Sequence, residues 1–367
     1  MKNRFIISGG GTGGHIFPAL AIANKIKREI PDAAILFIGA NNKMEMRIIP
    51  DAGYEIKGLN ITGITRSFSL KGIVNNLKLP FILLKSYYKA KKIIREFKPD
   101  VVIGVGGFAS AAALTASTSL KIPTLIQEQN SFPGITNRLL AKRAKKICVA
   151  YDHLETYFPA DKIIKTGNPI RAEIINLERK NEKAYQFFEL QKEKKTILVV
   201  GGSLGARTIN HCMAAHLDDI KKMNVQLIWQ TGEAFYKNIA PELLAKEDEN
   251  IKIVPFIKKM DYAYSIADII ISRAGAIAIS ELSIVGVPTI LVPFPYAAED
   301  HQTKNANALV RENAAYLVAD ADVPEKLFPL LQKLINDENE CDNLSKNIAK
   351  FALPNAIDDI YKEIMTL

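Results

Sequence analysis

The chain has 367 residues, 48% of them hydrophobic, enough to bury two cores of ordinary domain size. Its net charge is +9, from 48 basic and 39 acidic residues, and its three cysteines, Cys148, Cys212 and Cys341, are too few and too scattered for a disulfide framework or a cysteine-rich metal site. No apolar run reaches the roughly 18 residues of a transmembrane helix, and "MKNRF" runs into a strand-like stretch without a signal-peptide pattern, so neither a span nor a secretory leader is expected.

The first half alternates short apolar runs with helical ones. Strands are expected near 4–8, 35–39, 101–105, 124–127 and 146–149, and helices near 17–29, 85–97, 108–118 and 134–142, the pattern of a mostly parallel sheet covered on both faces. The first strand leads into "GGGTGGH", residues 9–15, which contains G-x-G-x-x-G as Gly9, Gly11 and Gly14. A dinucleotide fingerprint also needs an acidic residue at the tip of the second strand, and "FIGANNKME" places none there; a P-loop would need Lys where His15 stands. The generic chemistry holds: glycines let the backbone approach a ligand, and the helix start offers unpaired N–H groups to a phosphate. His15 sits at that helix start, where the dipole disfavours a charged imidazole, so it is a candidate proton acceptor or a capping residue.

Between Arg66 and Lys98 there are nine basic residues and one acid, interleaved with Phe68, Leu70, Ile73, Leu77 and "LPFILL" at 79–84. That mixture suits an anionic membrane surface. A helix pair with a solvated face is the plain alternative; nucleic acid fits less well, because no binding module accompanies the charge.

A second glycine loop, "GVGGFAS" at 104–110, emerges at the same sheet edge as the first, and "QEQNSFPG" at 127–134 follows the next strand. Glu128 and Asn130 are candidates there for hydroxyl contacts or for loop capping. The alternation breaks at 159–195, where "TGNPIR" resembles a connector, and restarts with "TILVVGGSLGA" at 196–206, a second phosphate-like cradle with Ser203 at its turn. Strands follow near 225–229, 251–255, 268–271 and 289–292. In "SRAGAIAISE" a small-residue turn opens a helix, and Glu281, further along it, can accept both hydroxyls of a ribose. "PFPYAAEDHQTKNA" crowds Glu299, Asp300, His301, Gln302 and Asn305 at a helix start, a polar set suited to sugar hydroxyls. No metal motif stands out, and the D-x-D of Asp320 and Asp322 reads as a loop feature. The expected organisation is two Rossmann-like domains facing across a crevice, residues 1–162 and 163–345, with a terminal helix in 346–367 as a candidate to pack back on the first.

Seven stretches in order, "GGGTGGHIFPALAIA", "GVGGFAS", "QEQNSFPGITNR", "TGNPIR", "GGSLGAR", "SRAGAIAISE" and "PFPYAAEDHQTKNA", resemble the bacterial transferases of peptidoglycan synthesis that move N-acetylglucosamine from its uridine diphosphate onto undecaprenyl-diphosphate-MurNAc-pentapeptide (lipid I), forming lipid II. The resemblance implies an inverting glycosyltransferase of the B-type fold, with the acceptor and the membrane taken by the first domain and UDP-GlcNAc by the second. It implies no cofactor and no metal at the diphosphate. His15, Thr12, Gly13 and Gly14 then face the acceptor diphosphate and the reaction centre, joined by Gly106, Gly107 and Phe108. Relatives often carry Tyr where Phe108 stands. Asn130 falls near the transfer site, and His15 and Glu128 compete as base. Arg171 and Ser203 serve the donor diphosphate, Phe256 and Ile257 flank the uracil, Glu281 binds the ribose, and Gln302 reads the GlcNAc hydroxyls. His301 stands where relatives often have Gln, which leaves its sugar contact open. A polyprenyl-linked acceptor also implies peripheral attachment at the cytoplasmic face of the inner membrane, through Phe68, Leu70, Ile73, Leu77 and Phe81, and partners from the cell-wall and division machinery. A transferase with another acceptor, a UDP-GlcNAc 2-epimerase and a non-enzymatic sugar-nucleotide module are the rival readings.

Overall fold

A computed structural model describes residues 2–61, 70–202, 204–239 and 241–367, without the side chains of 70–78 and of residue 242. The chain divides into two units: Met1–Ile170 with Leu353–Leu367, and Arg171–Ala352. The first division falls inside the connector "TGNPIR", later in the chain than residue 162. Residues 346–352 stay with the second unit, since helix Glu338–Ala349 belongs there.

The first unit is built on seven parallel strands: β1 (Arg4–Ser8), β2 (Ala34–Ala40), β3 (Glu55–Leu59), β4 (Val101–Gly104), β5 (Thr124–Glu128), β6 (Lys146–Val149) and β7 (Ile163–Lys165). Their order is β3-β2-β1-β4-β5-β6-β7. Both faces are covered, so the strands read as nearly continuous apolar runs. Phe5 and Ile7 join one core, with Ile22 and Ile26 of helix α1 (Gly13–Glu29). Ile6 points the other way, into a core shared with Val102, Ala113 and Ile126. The order reverses direction at β1 and β4, so the loops after these two strands open side by side at the carboxyl edge.

The second unit repeats the plan with six parallel strands, β8 (Lys195–Val200), β9 (Val225–Gln230), β10 (Ile251–Val254), β11 (Ile269–Ser272), β12 (Thr289–Leu291) and β13 (Tyr316–Leu317), in the order β10-β9-β8-β11-β12-β13. Its switch point lies between β8 and β11, which places "GGSLGAR" beside "SRAGA". One face packs on Trp229, Ile209, Leu331 and Leu334, all fully buried.

Three local features differ from expectation. Helix α1 starts at Gly13, four residues before residue 17, which puts His15 in its first turn. Helix α2 (Glu45–Asp51) and strand β3 occupy a stretch with no expected element. Helix α3 runs from Leu70 to Phe97 through Pro80, well ahead of residue 85. Helix Ala356–Met365 packs on the first unit: Ile360 and Ile364 are fully buried against the α1 side of the sheet, Lys25 pairs with Asp358 at 2.6 Å, and Lys146 pairs with Glu363.

Candidate active site

In the first unit the loops after β1 and β4 are pressed together. Gly107 has φ +85°, and a Cβ there would stand 2.7 Å from the Gly10 carbonyl oxygen; Gly106 has φ +101°, and a Cβ there would stand 2.8 Å from His15 Nε2. Both positions demand glycine for backbone conformation and for space. Thr12 caps α1, its carbonyl accepting from the His15 and Ile16 amides at 3.1 and 3.2 Å. Gly13 and Gly14 open that helix, and Phe108 opens helix α4 (Phe108–Ser119) with its ring half exposed.

His15 Nδ1 lies 3.0 Å from the Gly10 carbonyl oxygen. A carbonyl can only accept, so Nδ1 carries the proton and the lone pair of the neutral ring falls on Nε2, the atom beside Gly106. Glu128 is spoken for. One oxygen accepts from the Asn130 amide and side chain at 3.0 and 3.2 Å, and the other from the Gly134 amide and Asn137 Nδ2 at 3.2 and 2.8 Å. With four donors on a carboxylate only 2% exposed, its arrangement is that of an organiser of the loop that carries Asn130.

In the second unit the glycine loop is equally tight: a Cβ on Gly205, at φ +78°, would lie 2.0 Å from the Thr231 carbonyl oxygen. Ser203 lies outside the described residues. Gln230, which sequence reading missed, ties two expected elements together. Its Nε2 donates to the Gly202 carbonyl at 3.0 Å and its Oε1 accepts from the Ile257 amide at 2.9 Å. Ile257 is buried, whereas the Phe256 ring is half exposed.

Arg171 and Glu281, expected to serve different parts of the donor, are brought together. Arg171 Nε and Nη2 both donate to Glu281 Oε1, at 3.0 and 2.9 Å, and the Tyr264 hydroxyl donates to Oε2 at 3.3 Å. Burial raises the Glu281 carboxyl above its usual range, opposed by Arg171 and by the Tyr264 hydrogen bond. The Tyr264 phenol is also driven up, by burial first and then by the adjacent carboxylate. Arg171 is half exposed, and its Nη1 takes no part in the pair with Glu281.

Gln302 Oε1 accepts from the Phe294 amide at 2.9 Å, folding the "PFPYAAED" loop back on helix His301–Val310, and His301 Nδ1 lies 2.5 Å from the Ala298 carbonyl. Glu299 and Asp300, just ahead of them, are both left-handed at φ +55°. Two consecutive non-glycine residues in that region store strain, which recurs at ligand-binding loops. Asp320 accepts from Arg273 Nη1 at 2.5 Å and from Thr208 Oγ1 at 2.6 Å, so it is a brace behind the β11 loop. Among the described residues no group of three or more His, Cys, Asp or Glu is placed to hold a metal ion.

Of the expected membrane residues, Phe68 lies outside the described residues, as do the side chains of Leu70, Ile73 and Leu77 on α3. Phe81 is 78% exposed, and Leu84 and Tyr88 continue its stripe along the helix. Lys85, Lys89 and Lys92 are exposed on the same helix. No described helix is long and apolar enough to cross a membrane.

Two doubly wound parallel units, each with a glycine cradle at its switch point, form the architecture of the B-type glycosyltransferases. Residues 5–149 match the glycosyltransferase family 28 N-terminal domain and residues 196–360 its C-terminal domain. The chain is 51% identical over 364 residues to a UDP-N-acetylglucosamine–N-acetylmuramyl-(pentapeptide) pyrophosphoryl-undecaprenol N-acetylglucosamine transferase of Flavobacterium psychrophilum, covering 99% of this chain and 97% of that one. It is 52% identical to the protein of the same description from Parabacteroides distasonis, covering 100% and 98%. The crystal structure of Acinetobacter baumannii MurG superposes with a TM-score of 0.78 at 30% identity, over the whole of both chains. A UDP-GlcNAc 2-epimerase of Neisseria meningitidis shares the fold, with a TM-score of 0.67 at 16% identity. The chain belongs to glycosyltransferase family 28.

Proposed function

We propose that this chain transfers N-acetylglucosamine from UDP-GlcNAc to the C4 hydroxyl of MurNAc in undecaprenyl-diphosphate-MurNAc-pentapeptide, forming lipid II and UDP in peptidoglycan synthesis. The observation that carries this reading is identity near one half, over nearly the full length of both chains, with relatives that bear that description. The reaction is a single displacement. O4 of MurNAc forms a bond to C1 of GlcNAc, the bond from C1 to the diphosphate oxygen breaks, and its electron pair leaves with UDP. The hydroxyl proton passes to a base, and C1 inverts to a β(1→4) link.

His15 is the base in this reading. Its ring is held as the Nδ1–H tautomer, and Nε2 lies at the wall formed by Gly106. Glu128 holds the Asn130 amide and side chain, and Asn130 serves the transfer site. Thr12, Gly13, Gly14, Gly106, Gly107 and Phe108 receive the acceptor diphosphate and its sugar. On the donor side the cradle of Gly201–Gly205 with Ser203 takes the UDP diphosphate, together with the free edge of Arg171. Phe256 and Ile257 flank the uracil, Glu281 accepts the ribose hydroxyls, and Gln302 and His301 contact GlcNAc. Backbone N–H groups at helix starts stabilise the charge that develops on the leaving diphosphate. The chain works as a peripheral protein on the cytoplasmic face of the bacterial inner membrane, where its acceptor lies and where the cell-wall and division machinery assembles.

Transfer of labelled sugar from UDP-GlcNAc to a lipid I analogue tests the assignment. The expected product is the β(1→4) disaccharide lipid, formed equally with and without EDTA. Transfer to a diacylglycerol but not to lipid I would overturn the acceptor, and loss of transfer on chelation would overturn metal-free departure of UDP.

A further inference from the structure

Helix α2 contributes a side chain that the reading above does not use. Glu45 is 1% exposed, and among the described residues it has no cationic partner. Its two oxygens accept from backbone amides: Oε1 from Ala40 at the end of β2, at 3.0 Å, and Oε2 from Gly11 in the first glycine loop, at 2.9 Å. The backbone is wrapped closely around it. A Cβ on Gly10 would meet Glu45 Oε1 at 2.2 Å, and one on Gly39 would meet its Cγ at 2.7 Å.

The amide that Glu45 holds is the one that holds His15. The Gly11 N–H and the Gly10 C=O belong to a single peptide group. Its N–H points at the carboxylate and its C=O accepts His15 Nδ1–H at 3.0 Å. We propose that Glu45 is a positioning residue for His15, acting through the Gly10–Gly11 peptide. An acceptor on the N–H side polarises an amide and makes its carbonyl a stronger acceptor. That carbonyl fixes the ring tautomer and orientation, and it stabilises the imidazolium formed when Nε2 takes the hydroxyl proton. The logic is that of a carboxylate–histidine pair with one peptide group interposed. The arrangement also answers a local conflict. His15 sits in the first turn of α1, whose positive dipole end opposes a charged ring. A buried carboxylate behind the loop offsets that field.

The inference rests on His15 as the base, and the test separates the two claims. Four proteins are compared in the lipid I transfer assay: wild type, His15→Ala, Glu45→Gln and the double variant. Gln keeps the shape of Glu45 but turns one of its two acceptors into a donor. Expected is a fall of about tenfold or more in kcat for Glu45→Gln, within the roughly 10²–10⁴-fold that a general base supplies. KM for both substrates stays unchanged, and the loss vanishes in the His15→Ala background, where nothing is left to position. A loss that multiplies with that of His15→Ala, or appears as a raised acceptor KM, would make Glu45 a loop brace only and overturn the proposal. Near-normal kcat in His15→Ala would overturn the base assignment itself. A loss in His15→Ala with none in Glu45→Gln would overturn the positioning role alone. The ring ¹⁵N shifts of His15 in the wild-type protein provide a reading that needs no variant to fold: the neutral ring carries its proton on Nδ1, and a proton on Nε2 would overturn the proposal.

Discussion

Glu281 meets two demands at once. Its carboxylate is satisfied by Arg171 and Tyr264, and in the proposed role of ribose acceptor it would turn lone pairs to two hydroxyls. Glu281→Gln keeps the size but loses the charge that both partners use. We expect KM for UDP-GlcNAc to rise about ten- to a hundredfold with kcat changed by a few-fold at most, the signature of lost ground-state binding. Stability carries a second signature. Burial raises the Glu281 carboxyl above its ordinary 4.5, so the folded chain holds that proton more tightly than the unfolded chain. The resulting stabilisation is complete below pH 4.5 and is lost as pH rises through the folded value. Melting temperatures of wild type and Glu281→Gln across that range should therefore move apart with pH, the wild type losing ground; a constant gap would refute this. At this scale the sequence singled out His15, Glu128 and Glu281 as candidates but gave no sign of their partners. The four donors on Glu128 come from residues two to nine positions away, and nothing in "QEQNSFPGITN" separates an organising carboxylate from a base. Gln230 and Glu45 left no signal of their own. One sits at the end of an apolar strand, and the other lies five residues beyond the end of β2, past the strand tip where a dinucleotide fingerprint places its ribose carboxylate.

Elements were legible where hydrophobic period and glycine punctuation agreed, as at β1, β4, β8 and the loops that follow them. They were not legible where burial was one-sided or the run was short. Strand β3, "EIKGL", is an edge strand with alternating exposure, and α2 is a seven-residue helix interrupted by Pro50. The placement of the last helix is a tertiary fact, since its apolar stripe names no partner. In the structure Ile360 and Ile364 complete the core between α1 and the sheet. Truncating Ile364 to alanine removes fully buried methyl groups from a packed site, which costs about 2–5 kcal/mol. Denaturant unfolding of Ile364→Ala should show that loss, and a loss below about 1 kcal/mol, the size of a surface change, would mean that the helix is only loosely docked.

Over the whole molecule, the repeated strand–glycine-loop–helix pattern made the two-unit plan readable. A strand order that turns at β1/β4 and again at β8/β11 explains why the motifs that matter sit after those strands. Charge patterning carries the proposed attachment to a bilayer. Phe81, Leu84 and Tyr88 recur at helical spacing on the exposed part of α3, with Lys85, Lys89 and Lys92 beside them. An apolar stripe flanked by cations binds anionic lipid by burial of side chains and by attraction worth about 1 kcal/mol per basic residue near the surface. Two variants test these contributions. Phe81→Glu should lower co-sedimentation with phosphatidylglycerol vesicles about tenfold or more and leave a binding deficit even at low salt. Lys85→Gln with Lys89→Gln should weaken binding most at low salt, with the difference shrinking as the Debye length falls from about 30 Å at 0.01 M to about 10 Å at 0.1 M. Transfer to a short-chain, water-soluble acceptor should be unaffected in both variants, because none of the three residues lies at the glycine loops. Equal vesicle binding by wild type and Phe81→Glu would remove this face of α3 from the membrane contact.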